Sequence, residues 1–471
     1  MTASFMIAIE ATIVSTAMPQ IVANLGRLQL YAWVFSSFLL AQTATSVVFG
    51  KLADLYGRKS ILLIGIGIFL AGSLLCGLAW SMVSLIAFRL IQGLGAGAIQ
   101  PVSMTVVGDL YPAHERGRVQ GYLASVWGIS SVIGPLAGGL IIQHFSWAWI
   151  FWINLPIGLA AGLGFLFFLR EELAHEKRRL DVAGAIFFTI AVAALMLALT
   201  EAGDPSPAVP LAAGVVFVAS TILFVLQERR AADPMVAFAL WGRRSIATVN
   251  AATLLSGMAV IGLTTFLPMY VQAVLNRSAL VAGFALTMMV LGWPIAATLA
   301  ARNFARFGLR TVLLAGAFLL PVGALAFVAL RPGMSPAVAA LGSIVMGFGM
   351  GLLSTAAIVI IQDSVGWRER GAATASNLFS RNLGSTLGAA VLGAALNLSL
   401  ARGHKVGGDE IRRLIDRHGT AAGDGALRAT LGGSLHVTFL GVLGIALLTL
   451  VAATLVPRVV MKRAGAGQDR E

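Results

Sequence analysis

Apolar runs of about 20 residues, each long enough to cross ~30 Å of hydrocarbon, follow one another along nearly the whole chain. Short polar segments separate them, and within each run the hydrophobicity is continuous rather than alternating. Lipid offers no partners for backbone N–H and C=O groups, so such spans satisfy themselves as α-helices and not as the alternating strands of a barrel. The pattern predicts fourteen spans, at roughly 3–22, 31–50, 60–80, 83–108, 119–142, 149–169, 182–202, 209–227, 246–271, 280–300, 311–330, 337–361, 372–397 and 435–456. The expected fold class is therefore all-α integral membrane.

Composition agrees. Of 471 residues, 58% are hydrophobic and 11% charged, against about 25% charged in an ordinary soluble domain. The net charge of +13 does not indicate nucleic acid, because the basic residues fall in short clusters between apolar runs instead of one patch. Most of the 33 Lys and Arg residues lie on the side of the N-terminus, among them Lys51, Arg58, Lys59, Lys177, Arg178, Arg179, Arg229, Arg230, Arg243 and Arg244. That bias marks the cytoplasmic side, so both termini are expected there, in a multi-pass protein of the cytoplasmic (inner) membrane. Met1–Ile9 has no basic segment and reads as the start of the first span rather than a cleaved signal, with room for a native start further upstream. The single cysteine, Cys76, lies in an apolar run, which excludes an intrachain disulfide and points to no metal site.

The two ends of the chain resemble each other at a nearly constant offset. Tyr56-Gly57-Arg58-Lys59-Ser60-Ile61-Leu62-Leu63 matches Phe307-Gly308-Leu309-Arg310-Thr311-Val312-Leu313-Leu314, displaced by 251. Gly93, Gly95 and Gly97 match Gly347, Gly349 and Gly351, displaced by 254. At that same displacement Asp109 matches Asp363, Glu115-Arg116-Gly117 matches Glu369-Arg370-Gly371, and Gly134 and Gly139 match Gly388 and Gly393. Six spans are thus repeated in one orientation, with two spans inserted between the copies. The organisation expected is a six-helix bundle over 1–170, the insertion and its linkers over 171–245, a second six-helix bundle over 246–457 with an outer loop at 398–433, and a tail at 458–471. Parallel halves with a binding site at their interface are an alternating-access plan.

Three stretches carry candidate chemistry. After the second span comes Gly50-Lys51-Leu52-Ala53-Asp54-Leu55-Tyr56-Gly57-Arg58-Lys59. A glycine turn lets two helices approach, while Asp54 and Arg58 can form a charge-assisted pair that holds one conformation closed. The fourth span carries Arg89-Leu90-Ile91-Gln92-Gly93-Leu94-Gly95-Ala96-Gly97; an arginine there is costly unless it is paired or wetted, which marks it as functional. The fifth carries Gly128 and then Gly134-Pro135-Leu136-Ala137-Gly138-Gly139, residues that bend a helix and permit close contact.

The loop after the second span resembles the signature loop of the major facilitator superfamily, and the Arg89 segment is similar to that family's second motif. The Gly134-Pro135 segment resembles the mark of its proton antiporters. Ile9-Glu10-Ala11-Thr12-Ile13-Val14 with Met18-Pro19, Trp149-Ile150-Phe151-Trp152-Ile153-Asn154-Leu155-Pro156-Ile157-Gly158, and Arg381-Asn382-Leu383-Gly384 are similar to segments of the fourteen-helix drug:proton antiporters (EmrB/QacA type). One departure is Glu10, where the family's first-span motif usually has Asp. The resemblance implies the major facilitator fold with two extra helices. It also implies a latch of Gly50, Asp54, Gly57, Arg58 and Asp109, and an antiporter motif of Gly128, Gly134, Pro135, Gly138 and Gly139.

Glu10 is the acidic residue placed in the middle of a span, and with Arg89 it is the candidate for proton coupling. Desolvation makes such a carboxyl a natural proton carrier. Gln92, Trp127, Asn250, Asn377 and Arg381 are the candidates for lining the substrate cavity, each with helix–helix contact as the alternative role. No phosphate-cradling loop, nucleophile motif or zinc spacing occurs, so neither an ATP-driven pump nor an enzyme is indicated. The reading is export of small lipophilic or cationic compounds driven by the proton gradient, with no cofactor; a periplasmic adaptor is compatible with it. A carrier of one endogenous lipid or metabolite is the alternative on the same scaffold.

Overall fold

A computed structural model describes residues 1–110, 126, 129–130, 133–169, 181–200, 208–231, 238–365, 370–402 and 424–457. Among these, twelve helices are long and apolar enough to cross a membrane, and the chain is a multi-pass membrane protein. The first group comprises α1 (Thr2–Leu25), α2 (Tyr31–Tyr56), α3 (Arg58–Gly77), α4 (Met82–Leu110), α5 (helical over 133–144) and α6 (Asn154–Phe168). Between the groups lie α7 (Val182–Thr200) and α8 (Ala208–Arg230). The second group comprises α9 (Arg244–Met269), α10 (Ala279–Phe307), α11 (Leu309–Val328), α12 (Pro336–Asp363), α13 (Arg370–Arg402) and α14 (Asp424–Thr454). The described part of α5 and the shorter apolar α7 fall where the fifth and seventh spans are predicted.

Burial sorts central helices from peripheral ones. In α1, 78% of the apolar window is buried inside the protein, against 11% in α8, whose Leu211, Val215, Val218 and Ile222 are exposed. In a membrane those side chains face lipid tails, which are as apolar as they are.

The repeat is reproduced contact by contact. Gly57 (φ 92°) joins α2 to α3 and Gly308 (φ 78°) joins α10 to α11, each in a conformation that favours glycine. Gly57 N donates to Ala53 O at 3.1 Å, and Gly308 N to Phe304 O at 2.9 Å, partners again displaced by 251. A side chain on Gly95 would collide with Gly65 O and Phe69 N; one on Gly349 would collide with Gly316 O and Leu320 N. On the other face, Gly93 and Gly97 meet Phe38 O and Gln42 O, as Gly347 and Gly351 meet Met289 O and Trp293 O. One sequence pattern therefore dictates two superimposable sets of backbone approaches, α4 against α2 and α3, and α12 against α10 and α11.

The halves join at the face opposite the start of α1, called here the far face. Tyr31 Oη donates to Thr265 O at 2.7 Å and its ring stacks on Phe266 at 5.8 Å. Gln272 Nε2 donates to Thr16 O at 3.0 Å, and Asn397 Nδ2 to Gln29 O at 3.0 Å. Gln272 lies on a π-helical turn, Tyr270–Val274, that follows Pro268 and redirects the end of α9.

Candidate functional site

Glu10 on α1 is fully buried, and two helices, α4 and α6, deliver its partners. Arg89 on α4 pairs with Glu10 Oε1 through Nη1, which also donates to Gln92 Oε1 at 2.7 Å. Its Nε donates to Val34 O at 3.2 Å, and its guanidinium lies 4.2 Å from the centroid of the Phe38 ring. Arg89 and Gln92 are three residues apart, so one face of α4 presents both. Gln92 Nε2 donates onward to Ser73 Oγ of α3 at 2.8 Å, and Cys76 Sγ to Gln92 Oε1 at 3.8 Å. Asn154, at the start of α6, donates through Nδ2 to Glu10 Oε2 at 2.5 Å, while its buried Oδ1 has no partner among the described residues. Both charges are thus withdrawn from solvent and hydrogen-bonded on several sides, the condition under which such a pair is tolerated in apolar surroundings. The predicted Glu10 and Arg89 come together here. Asn154 belongs to the Trp149–Gly158 stretch, and nothing in its local sequence shows that it reaches Glu10.

The network counts for more because the repeat does not require it. At the displacement of 254, Arg89 corresponds to Ser343 and Gln92 to Met346. Both are buried, and Gly323 meets Met346 as Gly72 meets Gln92. The scaffold packs uncharged side chains at these two positions of the second half, so the repeat by itself does not call for the charge of Arg89.

The glycines of α5 divide between two neighbours. Side chains on Gly134 or Gly138 would run into Thr12, Ile13 and Thr16 of α1. Pro135 packs on Gly283, and Gly139 on Leu280, both of α10 in the other half. The counterpart of Gly139, Gly393 on α13, meets Ala32 of α2, so the repeat builds two such joints between the halves. Thr12 Oγ1 also approaches Ser130 O at 3.3 Å. Thus α1 presents Glu10 to the buried network and, within two residues, touches the helix that closes the far face.

The remaining candidates separate. Gly57 supplies the turn and Arg58 opens α3 directly after it, whereas Gly50 lies inside α2 with open space around its Cα. The side chains of Asp54 and Asp109, and the whole of Trp127 and Gly128, lie outside the described residues. Gln92, Asn250 and Asn377 lie between packed helices in this conformation. Asn377 Nδ2 donates to Asn250 Oδ1 at 3.0 Å and to Thr253 Oγ1 at 2.9 Å. Asn250 Nδ2 in turn donates to Ser376 Oγ at 2.9 Å, which also accepts from Trp241 Nε1 at 2.7 Å. This ladder ties α9 to α13. Arg381, one turn beyond Asn377, remains partly exposed.

Two repeated helical halves meeting at one face, with a buried ion pair in the first of them, are the architecture of a membrane transporter. The chain matches the Major Facilitator Superfamily over residues 1–389 and belongs to that family. It is 36% identical over 391 residues to Multidrug resistance protein 3 of Bacillus subtilis, covering 82% of this chain and 76% of that one. It is 33% identical over 400 residues to the Multidrug transporter protein MdtP of the same organism, covering 84% and 74%. A solved bacterial homologue of the human lysosomal transporter Spinster shares the fold, with a TM-score of 0.66 at 16% identity over 97% of this chain and 95% of that one.

Proposed function

We propose that this transporter exports small lipophilic compounds, drugs among them, from the cytoplasm in exchange for protons. The observation that carries the proposal is the Glu10–Arg89 pair, buried in one half, with the uncharged Ser343 in the place of Arg89 in the repeat. Its assignment to drug export is supported by the two relatives named for multidrug resistance and transport.

Glu10 takes up a proton when the far face opens and releases it to the cytoplasm when the far face is closed. Arg89 lowers the cost of the carboxylate between those events. Movement of Glu10 is passed along α1 to Thr12 and Thr16, which touch α5 and, through Gln272, the second half. The bodies that rock are 1–170 and 246–457, with Gly50, Asp54, Gly57, Arg58 and Asp109 as the latch at the cytoplasmic face. A fourteen-helix chain with both termini cytoplasmic, in the inner membrane, completes the reading. One proton moving down 100 mV is worth ~2.3 kcal/mol, about a fifty-fold gradient for a neutral cargo.

The test is a pH-dye assay in everted vesicles, comparing the native chain with Glu10→Gln as drugs are added. Proton movement on drug addition that the variant lacks is the expected result. Proton movement that survives Glu10→Gln removes Glu10 from the coupling role. No drug-dependent proton movement in the native protein would shift the reading to a carrier of one endogenous lipid or metabolite.

A further inference from the structure

Two arginines lie well inside the described helices, and their situations are opposite. Arg89 is enclosed and paired. Arg381 on α13 keeps part of its surface exposed and makes no hydrogen bond, ion pair or ring contact among the described residues. Its neighbours share that condition. Asn382 and Ser385 are partly exposed as well, and neither side chain has a hydrogen-bond partner among the described residues; only the backbone oxygen of Asn382 is engaged, by Thr386 Oγ1.

These three residues form one face. Positions 378, 381, 382 and 385 follow the i, i+3, i+4, i+7 spacing of a helix stripe. The flanking faces of α13 are occupied. Asn377, Gly384 and Gly388 pack on α9, while Phe379 and Leu383 join the cluster containing Leu40 and Ala44 of α2. Thus α13 borders both halves, and the stripe between its two packed faces is partly exposed and rich in donors. An unpaired guanidinium is costly against lipid, which argues for water, not lipid tails, beside Arg381.

We propose that Arg381, Asn382 and Ser385 form a docking stripe for an anionic oxygen group, a carboxylate or phosphate, on an amphiphilic molecule. Charge and geometry support that class. Glu10 is already held by Arg89 and Asn154 and is fully enclosed, so it offers nothing to a cationic cargo in this conformation. Arg381 leaves one positive charge uncompensated, and guanidinium, amide and hydroxyl together donate to a planar or tetrahedral oxyanion from one side. The inference rests on the transporter reading and narrows its substrate class to anionic amphiphiles.

The test uses purified full-length protein in dodecyl maltoside and 11-(dansylamino)undecanoic acid, followed by energy transfer from the chain's tryptophans. The methyl ester of the same probe is the uncharged control. The native chain is expected to bind the acid at least about tenfold more tightly than the ester, as a charge-assisted contact requires. Arg381→Gln should reduce the acid to the affinity of the ester, Arg381→Lys should retain part of the preference, and Asn382→Ala and Ser385→Ala should each weaken the acid several-fold. Equal binding of acid and ester, or unchanged binding of the acid by Arg381→Gln, overturns the proposal. Unchanged elution of the variants on size exclusion separates lost binding from lost folding.

Nanodiscs identify the source of the anion. Loss of probe binding when phosphatidylglycerol replaces part of the phosphatidylcholine assigns the stripe to a lipid headgroup. Persistent binding, with uptake of the acid into proteoliposomes, assigns it to cargo. No proton gradient is present in the binding measurement, so it reads the stripe separately from proton coupling. Failure of proton coupling would therefore leave this result standing.

Discussion

Asn154 donates to one carboxylate oxygen of Glu10 while Arg89 holds the other, so α6 and α4 grip the α1 carboxylate from two sides. The buried Oδ1 of Asn154 has no partner among the described residues. A protonated Glu10 could donate to that oxygen if the amide turned over, whereas an ionised one needs the amide nitrogen. The same residue can therefore serve both states of the carboxyl. Asn154→Leu should lower drug-dependent proton movement in everted vesicles more than Asn154→Gln, which keeps both polar atoms. Equal activity of the two variants would make Asn154 a packing residue.

Removing one member of the pair should cost more than removing both charges. Arg89→Gln leaves Glu10 buried opposite an uncharged amide, a loss on the order of 3–5 kcal/mol for an uncompensated buried charge. The variant should show a lower apparent melting temperature by tryptophan fluorescence. Glu10→Gln with Arg89→Gln should recover most of it, because Ser343 shows that the scaffold closes around a neutral residue at the position matching Arg89.

Opening of the far face should respond to the joint between α5 and α10. A Cβ on Gly283 would meet Pro135 Cβ at 2.7 Å and Pro135 O at 2.9 Å. Gly283→Val should push the two halves apart there. Spin labels at Arg27→Cys and Arg277→Cys, with Cys76 left in place because it is buried, should report a longer distance distribution in the variant. An unchanged distribution would mean that the joint yields without moving the halves. Tyr31→Phe, which removes the bond to Thr265 O, should shift the same distribution less, about 1 kcal/mol of one hydrogen bond.

Glycines should divide by their surroundings and not by their position in a motif. Gly95→Leu and Gly349→Leu should both collapse expression of folded protein on fluorescence-detected size exclusion, since each side chain would strike backbone atoms of a neighbouring helix. Gly67→Ala has open space and a helical backbone, and should be neutral or stabilising by roughly 0.5–1 kcal/mol. Gly57→Ala and Gly308→Ala should each cost about 1 kcal/mol or more through their positive φ. Equal tolerance at Gly95 and Gly67 would contradict the close approach of α3 and α4.

Much of the architecture was legible along the chain because lipid leaves the backbone few options. Apolar length marks the spans, and the displacements of 251 and 254 mark the repeat before any contact is known. The glycine spacing of α4 and α12 agrees with the faces that approach their neighbours, since only a residue without a side chain admits backbone at that distance. A mid-span glutamate and arginine announced themselves by their cost. What no linear pattern held was partnership across distant helices. Gln92 and Asn377 are polar residues on apolar helices alike, yet one joins the Glu10 network and the other ties α9 to α13. Arg89 and Arg381 read as the same anomaly; only packing encloses the first against a carboxylate and leaves the second partly exposed. A hydrogen bond or ion pair depends on atoms within a few ångströms, and helices separated by tens of residues reach that distance only through the tertiary fold.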